Sequence, residues 1–254
     1  MIHDLRSILD GWDYEPGKIS VRKIIGRDGR EKIQTRVDLG LLQCEVEGRP
    51  DGARPHGHPS LLDYFEAQLR EHIRAHGADT GFSLSEEDCE NLRVEGRLYY
   101  QRYLALFVLE EFDGVERDSA RNLRLIEFCS RYAHEDHDRE ALESQRAYVY
   151  MMNVRGRVYH ALQQRKWDEA LDLVEQGLRE LRELTVDSEA LVPYEVEESS
   201  EMRVLLDLRS EVLQRVPANS PRRLEWELQE ALANEQYELA AILRDRIARA
   251  ARKR

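Results

Sequence analysis

The chain has 254 residues, 35% of them charged and 41% hydrophobic, and a net charge of -12. That length holds one large or two modest domains with a substantial core, and the charge excludes a protein that wraps nucleic acid over its whole surface, because phosphate backbones are held by summed positive charge. No apolar run is long enough to span a bilayer, and the opening MIHDLR has neither a cationic start nor an apolar stretch, so a cytoplasmic protein without a secretory signal is expected.

In chain order, residues 19–25 (ISVRKII) and 32–37 (KIQTRV) have strand length and branched side chains, with Gly26-Arg27-Asp28-Gly29 between them as a turn. Residues 41–46 form a third such run, so a three-stranded antiparallel β-meander is predicted, with Trp12 and Tyr14 available to cover one face. Residues 48–59 are punctuated throughout by Gly and Pro and form a loop. From Ser60 the chain reads as helical. Ser60 caps a helix to about Ala75, and Ser83 with Glu86 makes a capping box for a long helix to about Glu111. Further helices are predicted near 116–133, 139–164, 168–184 and 195–216, and short loops make successive helices antiparallel neighbours. The fold class is therefore α+β, predominantly α: a small sheet with its loop over 1–59, a helical-hairpin body over 60–216, and a terminal hairpin over 217–254.

A short pattern recurs in Phe112-Asp113-Gly114-Val115, Trp167-Asp168-Glu169-Ala170 and Tyr237-Glu238-Leu239-Ala240: aromatic, acid, any residue, small residue. Each marks the start of a second helix. The ring fills the wedge between two antiparallel helices, the acid complements the helix N-terminus, and the small residue permits close approach. Residues 165–184, with Trp167, Ala170 and Leu171 in place, resemble the second half of a tetratricopeptide repeat. Gly177 departs from that pattern, the preceding helix is blurred around Gly156 and Tyr159, and the 55-residue step from Phe112 to Trp167 exceeds the usual period of about 34. TPR-like hairpins with longer helices are expected, rather than a regular array.

The last segment carries the clearest signal. Ser220 caps a helix with Pro221 at its first position, and Leu224, Leu228, Ala231 and Leu232 form an apolar stripe. Asn234-Glu235-Gln236 interrupts it, and a second stripe runs through Tyr237, Ala240, Ala241, Leu243 and Ile247. So small a pair of helices buries too little surface to stand alone, so docking is expected. The pattern resembles the UVR motif of the B and C subunits of bacterial excision nuclease and of adaptors in bacterial proteolysis. Tyr237, Glu238, Ala240, Ala241, Leu243, Arg244 and Asp245 fall in pattern, while Gln236 replaces the usual acid. The resemblance implies a protein contact, commonly with another such hairpin in a four-helix arrangement. The loop over 48–59 (GRPDGARPHGHP) is similar to that of bacterial proteins known by this motif alone.

Other candidate sites are weaker. His56, His58, His72 and His76 could suggest a metal, but no HExxH pattern or third acidic ligand accompanies them, so no metal site is expected. In the loop, Arg49 and Arg54 beside glycines are candidates for anion binding; as a connector, the same loop would pair them with Asp51 or Asp63. Tyr100, Tyr103, Leu104 and Phe107 share a helical face and read as core rather than a base-stacking platform. The arginine-rich tail, with Arg249 and Arg252 as candidate anion ligands, complements a helix C-terminus or offers a basic landing strip. Cys44, Cys89 and Cys129 lie far apart in sequence and are expected as buried thiols.

No nucleophile and base are placed by a recognisable motif, so neither catalysis nor a cofactor is expected. The reading is a non-enzymatic adaptor that docks on another protein or a second copy through Leu224, Leu228, Leu232, Tyr237, Leu243 and Ile247. The alternative is a nucleic-acid-binding accessory factor in DNA repair, using the basic tail and the arginine loop.

Overall fold

The computed structural model describes residues 4–186 and 199–251. The expected helix start at Glu195 and the tail residues Arg252, Lys253 and Arg254 lie outside them. The fold is α+β and predominantly helical, and it divides into two compact units, Met1–His160 and Ala161–Arg254. The division falls inside the 60–216 segment.

A single turn of helix, α1 (Arg6–Leu9), precedes the sheet. Strands β1 (Val21–Ile25), β2 (Glu31–Val37) and β3 (Gly40–Glu45) form an antiparallel meander in that order. The first hairpin closes where Gly26 N–H donates to Arg30 O at 2.8 Å, with Gly29 at φ +75°, a conformation that glycine adopts without strain. Register sets Arg22, Gln34 and Gln43 side by side, and they bond in series: Arg22 Nε to Gln34 Oε1 and Gln34 Nε2 to Gln43 Oε1, both at 2.9 Å. Trp12 covers this face, with the Arg22 guanidinium 4.0 Å from its ring centroid and its Nε1 donating to Ser20 Oγ at 2.7 Å. On the other face Ile33 is wholly buried.

In α2 (Leu61–His76), Ser60 Oγ accepts from Asp63 N at 3.1 Å, the cap expected of it. The capping box of α3 (Glu86–Val108) is formed by Ser85 and Asp88, two residues later than Ser83 and Glu86. The cause is Leu84, which is buried and bridged in parallel to Ala133; its N–H donates to Tyr132 O at 2.7 Å, which holds it extended. Next, α4 (Phe112–Tyr132) begins four residues before the expected position. The helix expected over 139–164 is two, α5 (Asp136–Glu143) and α6 (Arg146–Gln163). Gln145 N–H donates to Leu142 O at 3.0 Å, a tight turn that lets Leu142 and Val149 reach the same core.

That core includes Leu62, Leu92, Leu125, Ile126 and the two thiols Cys89 and Cys129, which lie far apart in sequence but hydrogen-bond to each other. The tyrosine face of α3 is rotated from the expected one. Tyr99, Tyr103 and Leu106 are buried, Leu104 and Phe107 are half-buried, and Tyr100 is exposed. Gly156 lets α6 lie close on the start of α4, where a Cβ would come within 3.0 Å of Glu116 N; one turn on, Tyr159 stacks on Phe112 at 5.0 Å. The blurred pattern around these two residues is thus a close helix crossing.

Buried charges join the sheet to the helices. Arg102 of α3 and Asp118 of α4, both almost fully buried, make a two-pronged pair, with Nε to Oδ2 at 2.6 Å and Nη2 to Oδ1 at 2.8 Å. The remaining prong, Nη1, donates to Glu45 O at 3.0 Å, at the end of β3. Arg117 continues the clamp to Val46 O at 3.1 Å and to the Glu47 carboxylate at 2.9 Å. Glu95 is wholly buried, yet its carboxylate accepts from Leu61 N at 2.7 Å and Leu62 N at 3.1 Å, which caps α2 from another helix. Arg121 bonds the same carboxylate. Burial pushes the Arg121 guanidinium down to about 9, so it is still a cation at neutral pH.

The second unit pairs α7 (Trp167–Val186) with α8 (Ser200–Arg215), then α9 (Pro221–Ala233) with α10 (Tyr237–Ala251). The recurrent aromatic-acid pattern has one backbone solution. Phe112, Trp167 and Tyr237 each open a helix, and two residues before each stands a non-glycine residue in the left-handed region: Glu110 at φ +58°, Arg165 at +59° and Glu235 at +57°. Each preceding helix ends in the same pair of bonds, illustrated by Glu235 N to Leu232 O at 3.2 Å and Gln236 N to Ala231 O at 2.7 Å. This is the Schellman closure, in which glycine is usual. Glu235→Gly is expected to stabilise the second unit by about 0.5 kcal/mol, the relief of left-handed strain less the extra freedom glycine gives the unfolded chain. Glu235→Val is expected to destabilise it by about 1 kcal/mol. Urea midpoints followed by circular dichroism check both; identical midpoints would rule out strain at this corner.

Candidate interaction surface

The C-terminal hairpin closes a core of its own. Leu224 and Ala231 from α9 meet Ala240 and Leu243 from α10, with Leu228 and Ile247 packed against them. Ser220 takes the N-cap position of α9, but its side chain makes no capping bond; Pro221 at N1 fixes the start instead. Arginines tie the foot of the hairpin to the rest of its unit. Arg222 donates to Asp172 Oδ1 at 2.5 Å and to Asp168 O at 3.2 Å, and Arg223 donates to Val216 O at 2.8 Å and Glu227 Oε1 at 2.9 Å. The bond to Asp172 raises the Arg222 pKa above its ordinary value.

The six residues expected to contact a partner separate into two groups. Leu224, Leu228, Leu243 and Ile247 hold the two helices to each other. Leu232, 44% exposed, and Tyr237, 66% exposed, flank the turn and face outward. Sequence reasoning passed over Leu239, 44% exposed, and Ile242, 58% exposed, because they lie off the stripe that faces α9. Their signal was the surplus: α10 has more large apolar residues than one stripe can bury. The position that carries Phe112 in α4, where the ring is buried, and Trp167 in α7, where it is half-buried, carries an exposed ring in Tyr237. The small residue of the pattern is buried in all three, as Val115, Ala170 and Ala240.

The other candidate residues are placed as follows. Arg49 Nε lies 3.3 Å from Asp51 Oδ1 and 3.3 Å from Glu95 Oε2, so it is engaged by carboxylates of its own chain. Arg54 is exposed and donates to Gly57 O at 3.3 Å, at a short 3-10 turn, Pro55–Gly57. His56 stacks on Tyr64 at 4.1 Å and His58 meets its edge at 5.5 Å, which holds the loop on α2. His72 and His76 stack at 4.3 Å, and each has a ring nitrogen 3.0 Å from a backbone carbonyl, Thr80 O and His72 O. Among the described residues no group of three or more His, Cys, Asp or Glu side chains is placed to hold a metal ion. Burial pushes the Cys44 thiol up to about 11, so it is protonated at neutral pH. Arg244 and Arg249 are exposed on α10, Arg246 donates to Ala218 O at 3.3 Å, and Arg252 lies outside the described residues.

Among the described residues no helix is long and apolar enough to cross a membrane. No curated protein and no solved structure matches the chain. One family model does, and it falls on this hairpin: residues 222–252 match the UvrB/uvrC motif, so the chain carries a UVR hairpin at its C-terminal end.

Proposed function

We propose that the protein is a cytoplasmic, bacterial adaptor whose UVR hairpin docks on another protein or on a second copy of the chain. The observation that carries this reading is the exposed apolar side chains on a hairpin whose own core is already closed: Leu239 and Ile242, one turn apart on α10, and Leu232 and Tyr237 on either side of the turn. Exposed apolar side chains gathered on so small an element mark a surface built to be covered. The α7–α8 pair, a TPR-like helical hairpin in this reading, carries the UVR hairpin within the second unit.

The test uses Tyr237→Ser with Ile242→Asp in the full chain. Both side chains point outward, so the hairpin keeps its fold while a charge enters the proposed contact. Association, followed by sedimentation and by affinity capture from a bacterial extract, is expected to weaken at least tenfold. Complex formation equal to that of the parent chain would remove this face from the explanation. Leu243→Asp is the wrong probe, since that residue is buried inside the hairpin and its loss would unfold the element.

The exposed arginines Arg244 and Arg249 support the second reading, a nucleic-acid-binding accessory factor in DNA repair. It differs in salt response. Binding through phosphates weakens steeply between low and high salt, whereas the apolar contact does not.

A further inference from the structure

The first unit contains a cavity of about 510 Å3 where α3 and α4 meet the corner between α5 and α6. Its size falls in the range of small-molecule sites, roughly 300–1,000 Å3. One wall is aromatic: Tyr103 meets Tyr100 edge to face at 5.4 Å, and Tyr100 lies 6.1 Å from Tyr148. Gly96 forms part of the lining. Glycine in a helix interior is unfavourable, and no close neighbour demands it here, since an added Cβ would meet nothing nearer than 3.8 Å. A side chain there would extend toward Leu125 and Asn122 of α4, which line the same cavity.

Two polar features point to an occupant. Tyr103 is wholly buried, and its hydroxyl has no hydrogen-bond partner, although buried hydroxyls are normally satisfied. Burial holds that hydroxyl well above the usual tyrosine range, so it is a donor at neutral pH. Of the two arginines in the lining, Arg93 is held by Glu90 at 2.8 Å and by the buried Asp138. Arg97, with a side chain 61% exposed, reaches only to 3.6 Å from the Glu90 carboxylate that Arg93 already engages. Its charge is therefore offered at the mouth of the cavity.

We propose that this cavity binds a planar aromatic anion, with its ring against Tyr100 and Tyr148, an acceptor atom on the Tyr103 hydroxyl, and its negative group at Arg97. The site is independent of the hairpin and of its partner.

The probe is 6-hydroxy-2-naphthoate, titrated by calorimetry into the full chain at low salt. Two relatives each remove one feature: 2-naphthoate lacks the hydroxyl, and 6-hydroxy-2-naphthamide lacks the charge. Saturable one-site binding is expected. Tyr103→Phe is expected to weaken the hydroxy-acid about three- to tenfold, the worth of one hydrogen bond, and to leave 2-naphthoate unchanged. The same variant should be at least as heat-stable as the parent without ligand, because it removes an unsatisfied buried hydroxyl; a merely structural hydroxyl would lower both quantities together. Arg97→Gln is expected to weaken the acid about threefold and to leave the amide unaffected. No saturable binding at millimolar probe, or equal affinity of the parent and Tyr103→Phe for the hydroxy-acid, overturns the site. Equal affinity for acid and amide overturns its anionic specificity.

Discussion

Asp118→Ala is expected to cost the first unit about 3–5 kcal/mol, because it leaves the Arg102 guanidinium buried without its counter-charge. Arg102 and Asp118 are each about 1% exposed, so water cannot replace the lost carboxylate without opening the α3–α4 interface. The loss extends to Arg117, which also bonds Asp118, at 3.0 Å. The double replacement Arg102→Met with Asp118→Leu removes both charges and is expected to cost only about 1–2 kcal/mol, chiefly the donor lost to Glu45 O. Urea unfolding followed by Trp12 fluorescence, in a background where Trp167 and Trp226 are replaced by Phe, reads the first unit, since Trp12 packs on the sheet that this pair anchors. A single-variant cost below about 1 kcal/mol would show that the pair is not buried in solution as it is here.

Glu95→Gln should be nearly as damaging, at about 2–4 kcal/mol, despite its close match in shape. The carboxylate serves two kinds of donor at once. It accepts both leading N–H groups of α2, from Leu61 and Leu62, and it neutralises Arg121 and Arg49. An amide presents one acceptor and one donor, so it would turn an N–H toward either a helix N-terminus or a guanidinium. The damage should therefore be local as well as global. Hydrogen exchange at Leu61 and Leu62 is expected to accelerate more than at mid-helix positions of α2, because the anchor of the helix start has been weakened. Unchanged protection at these two amides would mean that Ser60 alone secures that end.

The meander and most helix limits were legible because their causes are local. Strand-length branched runs around Gly26 and Gly29, and a serine ahead of an acid at Ser60, determine structure within a few residues. The start of α4 was read two ways: the aromatic-acid pattern put it at Phe112, where it lies, while periodicity put it near Glu116, since the cap residue Glu111 offers no side-chain bond to mark it. The break at Ser144–Gln145 was not legible, having no glycine or proline to mark it. Nothing in the sequence sets Glu95, Arg102 and Asp118 apart from the other helix charges; only the tertiary pairing of α3 with α4 makes them interior. At the hairpin, periodicity located the apolar residues but could not divide them between the helix-helix seam and the outer face. That division depends on how α9 and α10 rotate about their axes, which the turn at Glu235 decides.

The clamp on β3 also orders events in time. The meander is finished by residue 45, but the groups that hold its last strand, Arg102, Arg117 and Asp118, are made some 57 to 73 residues later. At ribosomal rates of roughly 5–20 residues per second, the nascent sheet waits about 3 to 15 s for its anchor. For that interval its open edges and the side of Ile33 are uncovered, so this chain should depend on chaperones that hold nascent chains more than its helix content alone would suggest.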